Sequence, residues 1–465
     1  MKVLLIHPPP AREQDMLSGI RYPPLGITIL AAVLRDKGYQ VCLLESYGLN
    51  ATLIDVKKKI IEFKPDVLGI TAASHVINHA FKIAEIAKSI NKKVKIVIGG
   101  VHPTIAPEHS LSNKNVDVIV KSEGEITFPD LLDAFKTGKP LEKIDGIGFI
   151  EGNKPFFTKP RKIVENLDDL PIPAYDLLPI SSYRSPYSNR KPIMTMIRSR
   201  GCPYPCIYCE HPILFSAKYR CQSPERTIRE IDYLVKKFGI KEISFKDSEF
   251  TLAPKDNLYK LCDLLIERNY DLRWCANGRA NNVDRELLKR MKKAGCYSIT
   301  FGLESGDQRI LNNLKKHLSL EQSEQAVKTA KEEGLQVVAN FMVGNPGETR
   351  ESIRNTIKFM KKLDLDYCFF SFLTPFPGTP LRKMAEENGW IIDRSMEGVQ
   401  YEDLSMNATE IPTEELRKSL NRFYRAFYLR PTYIIKRLKK FNLLDMKNNW
   451  IGFKSIIKNT LSVSK

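Results

Sequence analysis

The stretch Arg198-Ser-Arg-Gly-Cys-Pro-Tyr-Pro-Cys-Ile-Tyr-Cys-Glu210 carries three cysteines, Cys202, Cys206 and Cys209, in the spacing C-x3-C-x2-C. Three thiolates on so short a loop can hold three corners of a four-iron four-sulfur cube. The fourth iron is then left without a protein ligand, and an open metal position is a place where a small molecule can bind and react. The spacing therefore indicates a catalytic 4Fe-4S cluster.

Two other interpretations of these cysteines are open at this point. His211 follows closely and would complete a Cys3His set around zinc, although structural zinc motifs usually pair two C-x2-C units. Alternatively, the three cysteines are unrelated buried residues, which their crowding within eight residues disfavours. The rest of the chain decides between these interpretations.

The composition is that of a soluble globular protein. The chain has 465 residues, of which 43% are hydrophobic and 27% charged, and its length predicts two or three domains. Its nine cysteines form an odd, scattered set, and the N-terminus shows a short apolar stretch before three prolines instead of a signal peptide. We therefore expect a reducing, cytoplasmic location. No apolar run approaches the ~20 residues that span a bilayer.

Residues 1–140 alternate short apolar runs with amphipathic segments, which is typical of an open parallel sheet. The predicted strands are Lys2–His7, Gln40–Leu44, Val67–Thr71, Lys95–Gly99 and Val116–Val120. The predicted helices include Gly26–Asp36, Ala51–Phe63 and Ile77–Ile90. Five strands with crossover helices make a Rossmann-like domain.

Three further regions follow. Residues 141–190 are interrupted by prolines and indicate a linker. Residues 191–395 resume the βα pattern, with predicted strands Ile193–Ser199, Glu242–Asp247, Leu272–Asn277, Ser298–Glu304, Gln336–Val343 and Asp366–Thr374. Six such units predict a partial (β/α)6 barrel whose active site lies at the carboxyl ends of the strands. Residues 396–465 predict a small, basic, helical C-terminal region, and the fold class is α/β.

Glycines and short polar residues follow each barrel strand. The motifs are Asp247-Ser-Glu-Phe-Thr251, Ala276-Asn-Gly-Arg279, Phe301-Gly-Leu-Glu-Ser-Gly306, Val343-Gly-Asn-Pro-Gly-Glu-Thr349 and Leu373-Thr-Pro-Phe-Pro-Gly-Thr-Pro-Leu381. Because the strand ends meet at one rim, we expect these residues to line one cavity in which backbone can approach a nucleotide-sized ligand. Any one of them alone could be only a turn or cap residue.

With the cysteine loop and Tyr208 before the third cysteine, this barrel resembles the radical S-adenosylmethionine (radical SAM) enzymes over residues 190–390. The resemblance implies that SAM binds the open iron. It implies that Glu304 and Ser305 contact the amino acid or ribose part of SAM, that Asn277 or Arg279 lies near its carboxylate or ribose, and that Gly344-Asn-Pro-Gly347 backs the adenine. The SAM-binding residues are then Tyr208, Asn277, Arg279, Gly302, Glu304, Ser305, Gly344 and Pro346. Asp247-Ser248 departs from the pair of acids common in relatives, so any role of a second acid is in doubt.

The N-terminal motifs resemble the cobalamin-binding domain of one radical SAM subclass. They are His7-Pro-Pro-Pro10, Tyr22-Pro-Pro-Leu-Gly-Ile27, Gly99-Gly-Val-His-Pro-Thr104 and Ser122-Glu-Gly-Glu125. The implied cobalamin contacts are Pro9, Thr71, Ser74, Gly99, Gly100, His102, Glu123 and Gly124. No D-x-H-x-x-G motif is present, so the lower axial position of cobalt is left to water, to another residue or to nothing. The other interpretation is a domain that binds a plain nucleotide or no ligand.

The C-terminal segment concentrates the positive charge. The formal net charge is +18, and eleven basic residues stand against the single acid Asp445 between Asn421 and Lys465. Residues 423–441 mix aromatics with cations, which suits peripheral contact with a membrane surface, contact with nucleic acid, or a helix packed on the barrel. The resemblance to relatives with hydrophobic substrates favours the membrane over nucleic acid, which we consider a poor candidate for a partner.

The resemblance implies a radical reaction on a small molecule, itself hydrophobic in some relatives, driven by an external one-electron reductant. The 5′-deoxyadenosyl radical would abstract hydrogen from an unactivated carbon, and methylcobalamin would supply a methyl group, so methylation is the predicted reaction. An oxidative cyclase or rearrangement enzyme resembling the anaerobic magnesium-protoporphyrin ester cyclases is the alternative. A methylthiotransferase is disfavoured because Cys42 is the only N-terminal cysteine, and a non-catalytic cobalamin or iron-sulfur sensor is disfavoured by the rim motifs. The sequence identifies no catalytic residue beyond the cofactor ligands.

Overall fold

The computed structural model describes residues 1–10, 21–185, 188, 190–393 and 403–439. Two sheets follow each other along the chain, and helices pack on both of them. The predicted α/β class is confirmed, with a Rossmann-like sheet, a partial barrel and a helical C-terminal region. The described residues include no helix that is both long and apolar enough to span a membrane.

The N-terminal sheet has seven strands in the order β2-β1-β3-β4-β5-β6-β7. They are β1 Lys2–His7, β2 Gln40–Glu45, β3 Val67–Thr71, β4 Lys95–Gly99, β5 Val118–Val120, β6 Ile147–Glu151 and β7 Lys154–Phe157. The helices here are α1 Leu25–Asp36, α2 Ser46–Leu49, α3 Leu53–Phe63, α4 Ile77–Ile90, α5 Val101–Ile105, α6 Pro107–Leu111 and α7 Gly124–Thr137. Strands β1 to β5 are parallel, so their carboxyl ends share one edge of the sheet.

The hairpin of β6 and β7 was not predicted, because the prolines around it suggested an unstructured linker. Its two-residue turn is formed by Gly152 and Asn153, which both have positive φ, at 54° and 67°. That conformation matches the strand twist and is typical of glycine and asparagine in tight hairpins. The sequence signal was therefore present between Glu151 and Lys154, and the hairpin extends the first sheet by two antiparallel strands.

The second sheet has six parallel strands in the order β15-β14-β13-β12-β11-β8. They are β8 Ile193–Met196, β11 Glu242–Phe245, β12 Arg273–Gly278, β13 Cys296–Glu304, β14 Gln336–Val343 and β15 Tyr367–Phe372. The α-helices are α8 His211–Phe215, α9 Pro224–Phe238, α10 Lys255–Arg268, α11 Arg285–Lys293, α12 Gln308–Asn313, α13 Leu320–Glu332, α14 Arg350–Lys362, α15 Pro380–Glu387, α16 Thr413–Tyr428 and α17 Pro431–Lys439. Short 3-10 turns occur at Ser74–Val76, Leu141–Lys143, Leu167–Asp169, Tyr175–Leu177, Ile180–Ser182, Phe250–Leu252 and Ala280–Asn282.

The first barrel strand is shorter than predicted. It ends at Met196, and the chain then forms β9, Ser199–Arg200, which pairs antiparallel with β10, Arg220–Cys221. This two-stranded ribbon closes the loop that carries the three cysteines. The expected strand through Ser199 was wrong because β9 leaves the barrel sheet to form the base of that loop.

Side-chain caps fix the starts of two barrel helices. The Ser223 hydroxyl accepts a hydrogen bond from the backbone of Arg226, and Ser319 and Gln322 form a capping box. Such caps satisfy backbone donors that the first turn of a helix leaves unpaired. They fix where each helix begins, and hence how long each strand-end loop above the barrel can be.

The segment between the two sheets packs tightly on them. Tyr175 and Tyr183 are buried, and the Tyr175 hydroxyl donates to Glu230 of α9 at 2.6 Å. Glu230 also pairs with Arg226 at 2.9 Å. This segment therefore contributes to the core and connects the two sheets rigidly.

The C-terminal helices cover the outer end of the barrel sheet. Phe423 and Phe427 of α16 are buried, and both rings contact Phe370 of β15. The Tyr433 hydroxyl donates to the backbone of Asp366 at 3.0 Å. The described part of the basic segment thus packs its aromatic side chains on the barrel, and residues 440–465 lie outside the described residues.

Candidate active site

The cysteine loop is held at the carboxyl ends of the barrel strands. The Ile207 backbone N–H donates to Leu314 O at 3.2 Å, and the Leu381 N–H donates to Ile207 O at 2.9 Å. Gly201, just before the first cysteine, has φ of 83°, and a Cβ there would lie 2.1 Å from Lys218 O. Only glycine fits this turn, which brings the loop back over the β9–β10 ribbon.

The three thiols lie in a partly buried group. Burial raises the pKa of Cys202, and burial together with the neighbouring cysteines raises the pKa of Cys209 to about 12. Thiolates in such a place need a strong positive charge beside them, and cluster iron supplies that charge and displaces the protons. The donor set therefore fits a cluster with three protein ligands.

His211 does not join this group as a fourth ligand. Its Nδ1 forms a 2.8 Å hydrogen bond with the Ser248 hydroxyl, and its ring packs against Phe215. Across the described ranges, no three His, Cys, Asp or Glu side chains are grouped as a site for a single metal ion. Ser248, at the position where relatives often carry a second acid, thus serves as the partner of His211.

A buried ion pair lies beside the cysteine loop. Lys316 Nζ donates to Glu304 Oε1 at 2.7 Å and to the Tyr208 hydroxyl at 3.3 Å, and Tyr208 itself donates to Glu304 at 3.2 Å. Burial lowers the pKa of Lys316, but Glu304 and other anionic neighbours outweigh it and leave that pKa raised. Burial and Glu304 also raise the pKa of Tyr208. Sequence reasoning missed Lys316, because it lies in an irregular turn with no motif.

The backbone of β13 is distorted at its end, where the Glu304 side chain reaches Lys316 and Tyr208. Its register with β14 shifts between Gly302 and Glu304, and Glu304 has φ of 63°. A Cβ on Gly302 would lie 2.5 Å from Glu304 Oε1 and 3.1 Å from Lys316 Nζ. A non-glycine residue in left-handed backbone at the end of a strand is strained, and such strain clusters at functional sites.

Arg279 and Glu249 both lie near Cys202. The Arg279 guanidinium lies 3.7 Å from the ring centroid of Tyr204 and donates to Asn281 at 2.9 Å. The Arg279 backbone N–H donates to Glu249 Oε1 at 2.9 Å, and burial raises the pKa of Glu249. Glu249 was within a predicted rim motif but was not singled out. The rule that polar strand ends converge would have found it.

The structure does not bring every predicted SAM residue into this group. The Ser305 hydroxyl pairs with Thr356 of α14 at 3.2 Å, which serves the packing of that helix. Asn277 is half-buried on β12. The Gly344–Pro346 turn is buried and held by Glu348, which accepts from Gly344 N at 2.7 Å. Tyr208, Arg279, Gly302 and Glu304 are therefore the predicted residues that gather near the cysteines.

A cavity of about 400 Å³ opens at the carboxyl edge of the N-terminal sheet. Of the predicted cobalamin contacts, the cavity is lined by Thr71, Gly99, Gly100, Glu123 and Gly124. Gly100 has φ of 100°, and a Cβ there would lie 2.9 Å from Thr71 Oγ1. Small residues at the ends of β3 and β4 leave a flat surface of the kind that a planar macrocycle requires, so the residues present fit a corrinoid.

Three predicted cobalamin contacts lie outside the lining. His102 is buried between Ser74, at 3.0 Å from Nδ1, and His109, at 2.9 Å from Nε2. Burial and, to a lesser extent, His109 together lower the pKa of His102 to about 4, so this histidine is a neutral member of a buried chain. Pro9 is also buried, with its carbonyl bonded to His79 at 3.0 Å. These residues support the cavity wall.

The opposite wall of the cavity comes from the barrel. Ile197 and Arg200, which precede the cysteine loop, line it together with Leu214 and Phe215, which follow the loop. The segment that carries the cysteines therefore lies over the edge of the first sheet. The cavity is thus formed jointly by the edge of the N-terminal sheet and by residues on both sides of the cysteine loop.

Buried charges join these walls. Glu123 pairs with Arg220 at 2.7 Å, and Arg200 pairs with Glu125 at 2.6 Å and with Glu123 at 3.5 Å. Burial alone would raise the pKa of Glu123, but the two arginines and the Val164 N–H lower it. Because Arg200 lies two residues before Cys202, this network fixes the cysteine loop relative to the N-terminal sheet.

Comparisons with known proteins agree with this geometry. The B12 binding domain model matches residues 18–132, and the Radical SAM superfamily model matches residues 196–360. An uncharacterized methyltransferase of Pyrococcus horikoshii is 38% identical over 440 residues, which cover 94% of each chain. The anaerobic magnesium-protoporphyrin IX monomethyl ester cyclase of Rubrivivax gelatinosus is 28% identical, over 93% of this chain and 78% of that protein.

A solved structure shows the same fold. The cobalamin-dependent S-adenosylmethionine radical enzyme OxsB, with aqua-cobalamin and S-adenosylmethionine bound, superposes with a TM-score of 0.77 at 19% identity, over 98% of this chain and 70% of that one. The predicted family, cofactors and enzyme class are confirmed. The chain belongs to the cobalamin-dependent radical SAM enzymes, as a methyltransferase-like member that uses a 4Fe-4S cluster, S-adenosylmethionine and cobalamin.

Proposed function

We propose that the enzyme methylates an unactivated carbon of a small-molecule substrate bound between the two cofactor sites. The observation that supports this most directly is the shared cavity, whose walls are the edge of the first sheet and the residues on both sides of the cysteine loop. When bound, the cluster and SAM supply a radical that abstracts hydrogen, and cobalamin supplies the methyl group. The protein then has to hold both cofactors at a fixed separation and exclude water.

In this proposal Cys202, Cys206 and Cys209 hold the cluster, and Glu304 with Lys316 binds the polar part of SAM. The buried carboxylate, paired with Lys316, can accept hydrogen bonds from a ribose or an ammonium group. Arg279, stacked on Tyr204, offers a guanidinium to the SAM carboxylate.

We propose that the remaining predicted SAM contacts act through their backbone atoms and by shaping the walls of the site. Asn277, Gly302, Ser305, Gly344 and Pro346 are proposed to line the site from three successive strand ends, which is where parallel barrels bind ligands. Ser305 acts through its backbone, because its hydroxyl is used by Thr356.

For cobalamin, the proposed contacts are Thr71, Gly99, Gly100, Glu123 and Gly124, which line the cavity. Pro9, Ser74 and His102 are proposed to hold these residues in place. The proposed domain boundaries are 1–140 for the cobalamin domain, 141–190 for the connection, 191–395 for the barrel and 396–465 for the C-terminal region.

The substrate is proposed to be hydrophobic, because the cavity wall is dominated by apolar side chains such as Ile197, Leu214 and Phe215. An external one-electron donor has to reduce the cluster. We also propose peripheral membrane contact through the C-terminal region, where Leu429, Ile434 and Ile435 are exposed beside a basic segment. If a chain ending at Phe441 partitions onto anionic liposomes as well as the full chain does, residues 442–465 have no such role.

An oxidative cyclase is the second candidate, favoured by the similarity to the Rubrivivax gelatinosus cyclase. The products of SAM distinguish the two reactions without knowledge of the substrate. Use of SAM as a methyl donor would leave S-adenosylhomocysteine, whereas its one-electron reductive cleavage would give methionine and, after hydrogen abstraction, 5′-deoxyadenosine. We expect both products, measured by mass spectrometry, from the anaerobically reconstituted enzyme supplied with SAM carrying a deuterated methyl group. 5′-Deoxyadenosine alone, with no S-adenosylhomocysteine, would favour the cyclase.

A further inference from the structure

The wall of the cobalamin cavity contains a histidine that is held by a buried carboxylate. His7, the last residue of β1, lines the cavity, and its Nδ1 lies 2.8 Å from Glu45 Oε1. The side chain of His7 is 27% exposed, whereas that of Glu45 is fully buried. The ring is therefore anchored at one nitrogen and accessible from the cavity.

Glu45 is fixed in orientation by further contacts. Its Oε2 accepts hydrogen bonds from the backbone N–H of Gly48 at 2.6 Å and from the Tyr183 hydroxyl at 3.3 Å. A Cβ on Gly48 would lie only 2.0 Å from Glu45 Oε2, so glycine is needed for that close approach. Oε1 is thus left for His7, and this oxygen can accept a hydrogen bond from Nδ1–H.

This arrangement has a chemical consequence for the imidazole. When Nδ1 donates to a carboxylate, the proton is fixed there and the lone pair is on Nε2. Histidines that bind metals are usually held in this way, because the carboxylate sets the tautomer and makes the second nitrogen a better ligand. Within the described residues, Nε2 of His7 has no recorded hydrogen bond or ion pair.

Several other polar side chains on the wall form ion pairs or hydrogen bonds with protein groups. Glu123 and Glu125 pair with arginines. The Thr104 hydroxyl donates to Gly100 O at 2.7 Å, and the Ser122 hydroxyl donates to Leu214 O at 2.7 Å. A second imidazole on the described wall, His75, lies in the exposed turn after β3.

We propose that His7, oriented by Glu45, is an axial ligand of the cobalt of the bound corrinoid. The chain lacks the D-x-H-x-x-G motif, so the histidine ligand is supplied by a different element, the end of β1. Strand β1 lies between β2 and β3 in the parallel part of the sheet, and its carboxyl end belongs to the edge that forms the cavity. The inference rests on cobalamin binding and adds the identity of one cobalt ligand.

Electron paramagnetic resonance of cob(II)inamide bound to the full chain tests this directly. Cobinamide has no nucleotide base of its own, so any axial nitrogen has to come from the protein. We expect each cobalt line of the wild-type complex to split into a triplet from one axial nitrogen. In protein labelled with ¹⁵N-histidine, the triplet is expected to become a doublet, which identifies a histidine without any substitution.

Two substitutions locate the histidine. H7A and H7Q should retain cobinamide without the nitrogen splitting, and the matched variant H75A should keep it. E45Q is expected to keep the triplet but to weaken cobinamide binding by about 10- to 100-fold, as loss of an orienting partner does at other metal sites. Far-ultraviolet circular dichroism of each variant shows whether it is folded.

Three results would overturn the proposal. A wild-type complex that retains cobinamide but shows no nitrogen splitting would leave cobalt to water or to no ligand, with corrinoid binding intact. Splitting that persists in both His7 variants, or that is lost only in H75A, would assign the ligand elsewhere. A wild-type chain that retains no cobinamide after gel filtration would contradict both this inference and the cobalamin site itself.

Discussion

Lys316 Nζ and Glu304 Oε1 lie 2.7 Å apart, in an ion pair whose two side chains are each 9% exposed. The pair joins an irregular turn after α12 to the strained end of β13, and it contacts Tyr208 between the second and third cysteines. A charge in such a place is stabilised only by its partner, because burial removes water from both. The pair therefore links the cysteine loop to the SAM-binding rim.

The first prediction concerns this pair. K316M leaves Glu304 buried without its cation, and removing one partner of a buried pair typically costs about 3–5 kcal/mol of stability. The thermal unfolding temperature should therefore fall, and SAM affinity measured by equilibrium dialysis should drop by at least about tenfold. The adjacent, exposed Lys315 provides the control, and K315M should behave like the wild type. If K316M binds SAM as tightly as K315M, the pairing of Glu304 with Lys316 is not required for SAM binding.

A second variant separates stability from binding. K316M/E304Q has no buried charge at this position, so part of the lost stability should return. SAM affinity should stay low, because the ionised carboxylate is absent. Recovery of both properties together would mean that the pair has only a structural role.

The buried network of Glu123 predicts a defined pH dependence. The pKa of Glu123 is lowered in the folded protein, so its contribution to stability is complete above the ordinary glutamate pKa of about 4.3 and is lost as the pH falls further. E123Q should therefore destabilise the protein by about 3–5 kcal/mol at pH 7, and the difference from the wild type should shrink in acid.

Urea unfolding at several pH values measures this difference. E165Q is the matched control, because Glu165 pairs with Lys218 on the surface, with both side chains more than half exposed. The control should change stability little at any pH. A constant E123Q deficit from pH 7 down to acid would show that the loss comes from packing and not from charge.

The pH dependence of stability that arises from Glu348 should have the opposite sign to that from Glu123. Burial raises the pKa of Glu348 and outweighs the hydrogen bonds from Gly344 and Asn345, which lower it. The resulting pKa is about 7. The folded state thus holds a proton that the unfolded chain releases near pH 4.3, so this group makes stability fall as the pH rises toward 7, by on the order of 3 kcal/mol. E348Q should flatten that slope. An unchanged slope in E348Q would assign the pH dependence to another group.

Replacement of Gly100 at the cavity edge should selectively weaken cobalamin binding. G100A places a methyl group in contact with Thr71 at a backbone φ of 100°, so the local strand end has to shift. We expect less cobalamin per chain, measured by absorbance after gel filtration. Gly138 also has positive φ but has open space around its Cβ position, so G138A should cost stability without affecting cobalamin. Equal losses in both variants would reflect general destabilisation.

How much could be predicted from the sequence depends on how local each signal is. Strands such as Gln336–Val343 are encoded in neighbouring residues, and the structure agrees with that prediction. The cap at Ser223 is equally local, because it bonds to Arg226 only three residues away. The cysteine motif is local too. The hairpin turn at Gly152 and Asn153 was also local but was outweighed by the surrounding prolines.

Contacts between distant segments could not be predicted in this way. Lys316 meets Tyr208 across 108 residues, and Arg220 meets Glu123 across 97. Nothing in the local pattern pairs these charges, because the pairing is created only when the two sheets pack together. The same holds for the hydrogen bond between the Ser305 and Thr356 hydroxyls, which are 51 residues apart in the chain.

The most direct test of the central claim is the formation of 5′-deoxyadenosine from SAM by the anaerobically reconstituted, reduced full chain. The wild type should produce it, and C202A, C206A and C209A should not. C221A is the matched control, since Cys221 lies on the nearby β10 strand outside the triad, and it should retain the activity. Absence of the product from the reduced wild type, or equal amounts from the triad variants, would contradict the account.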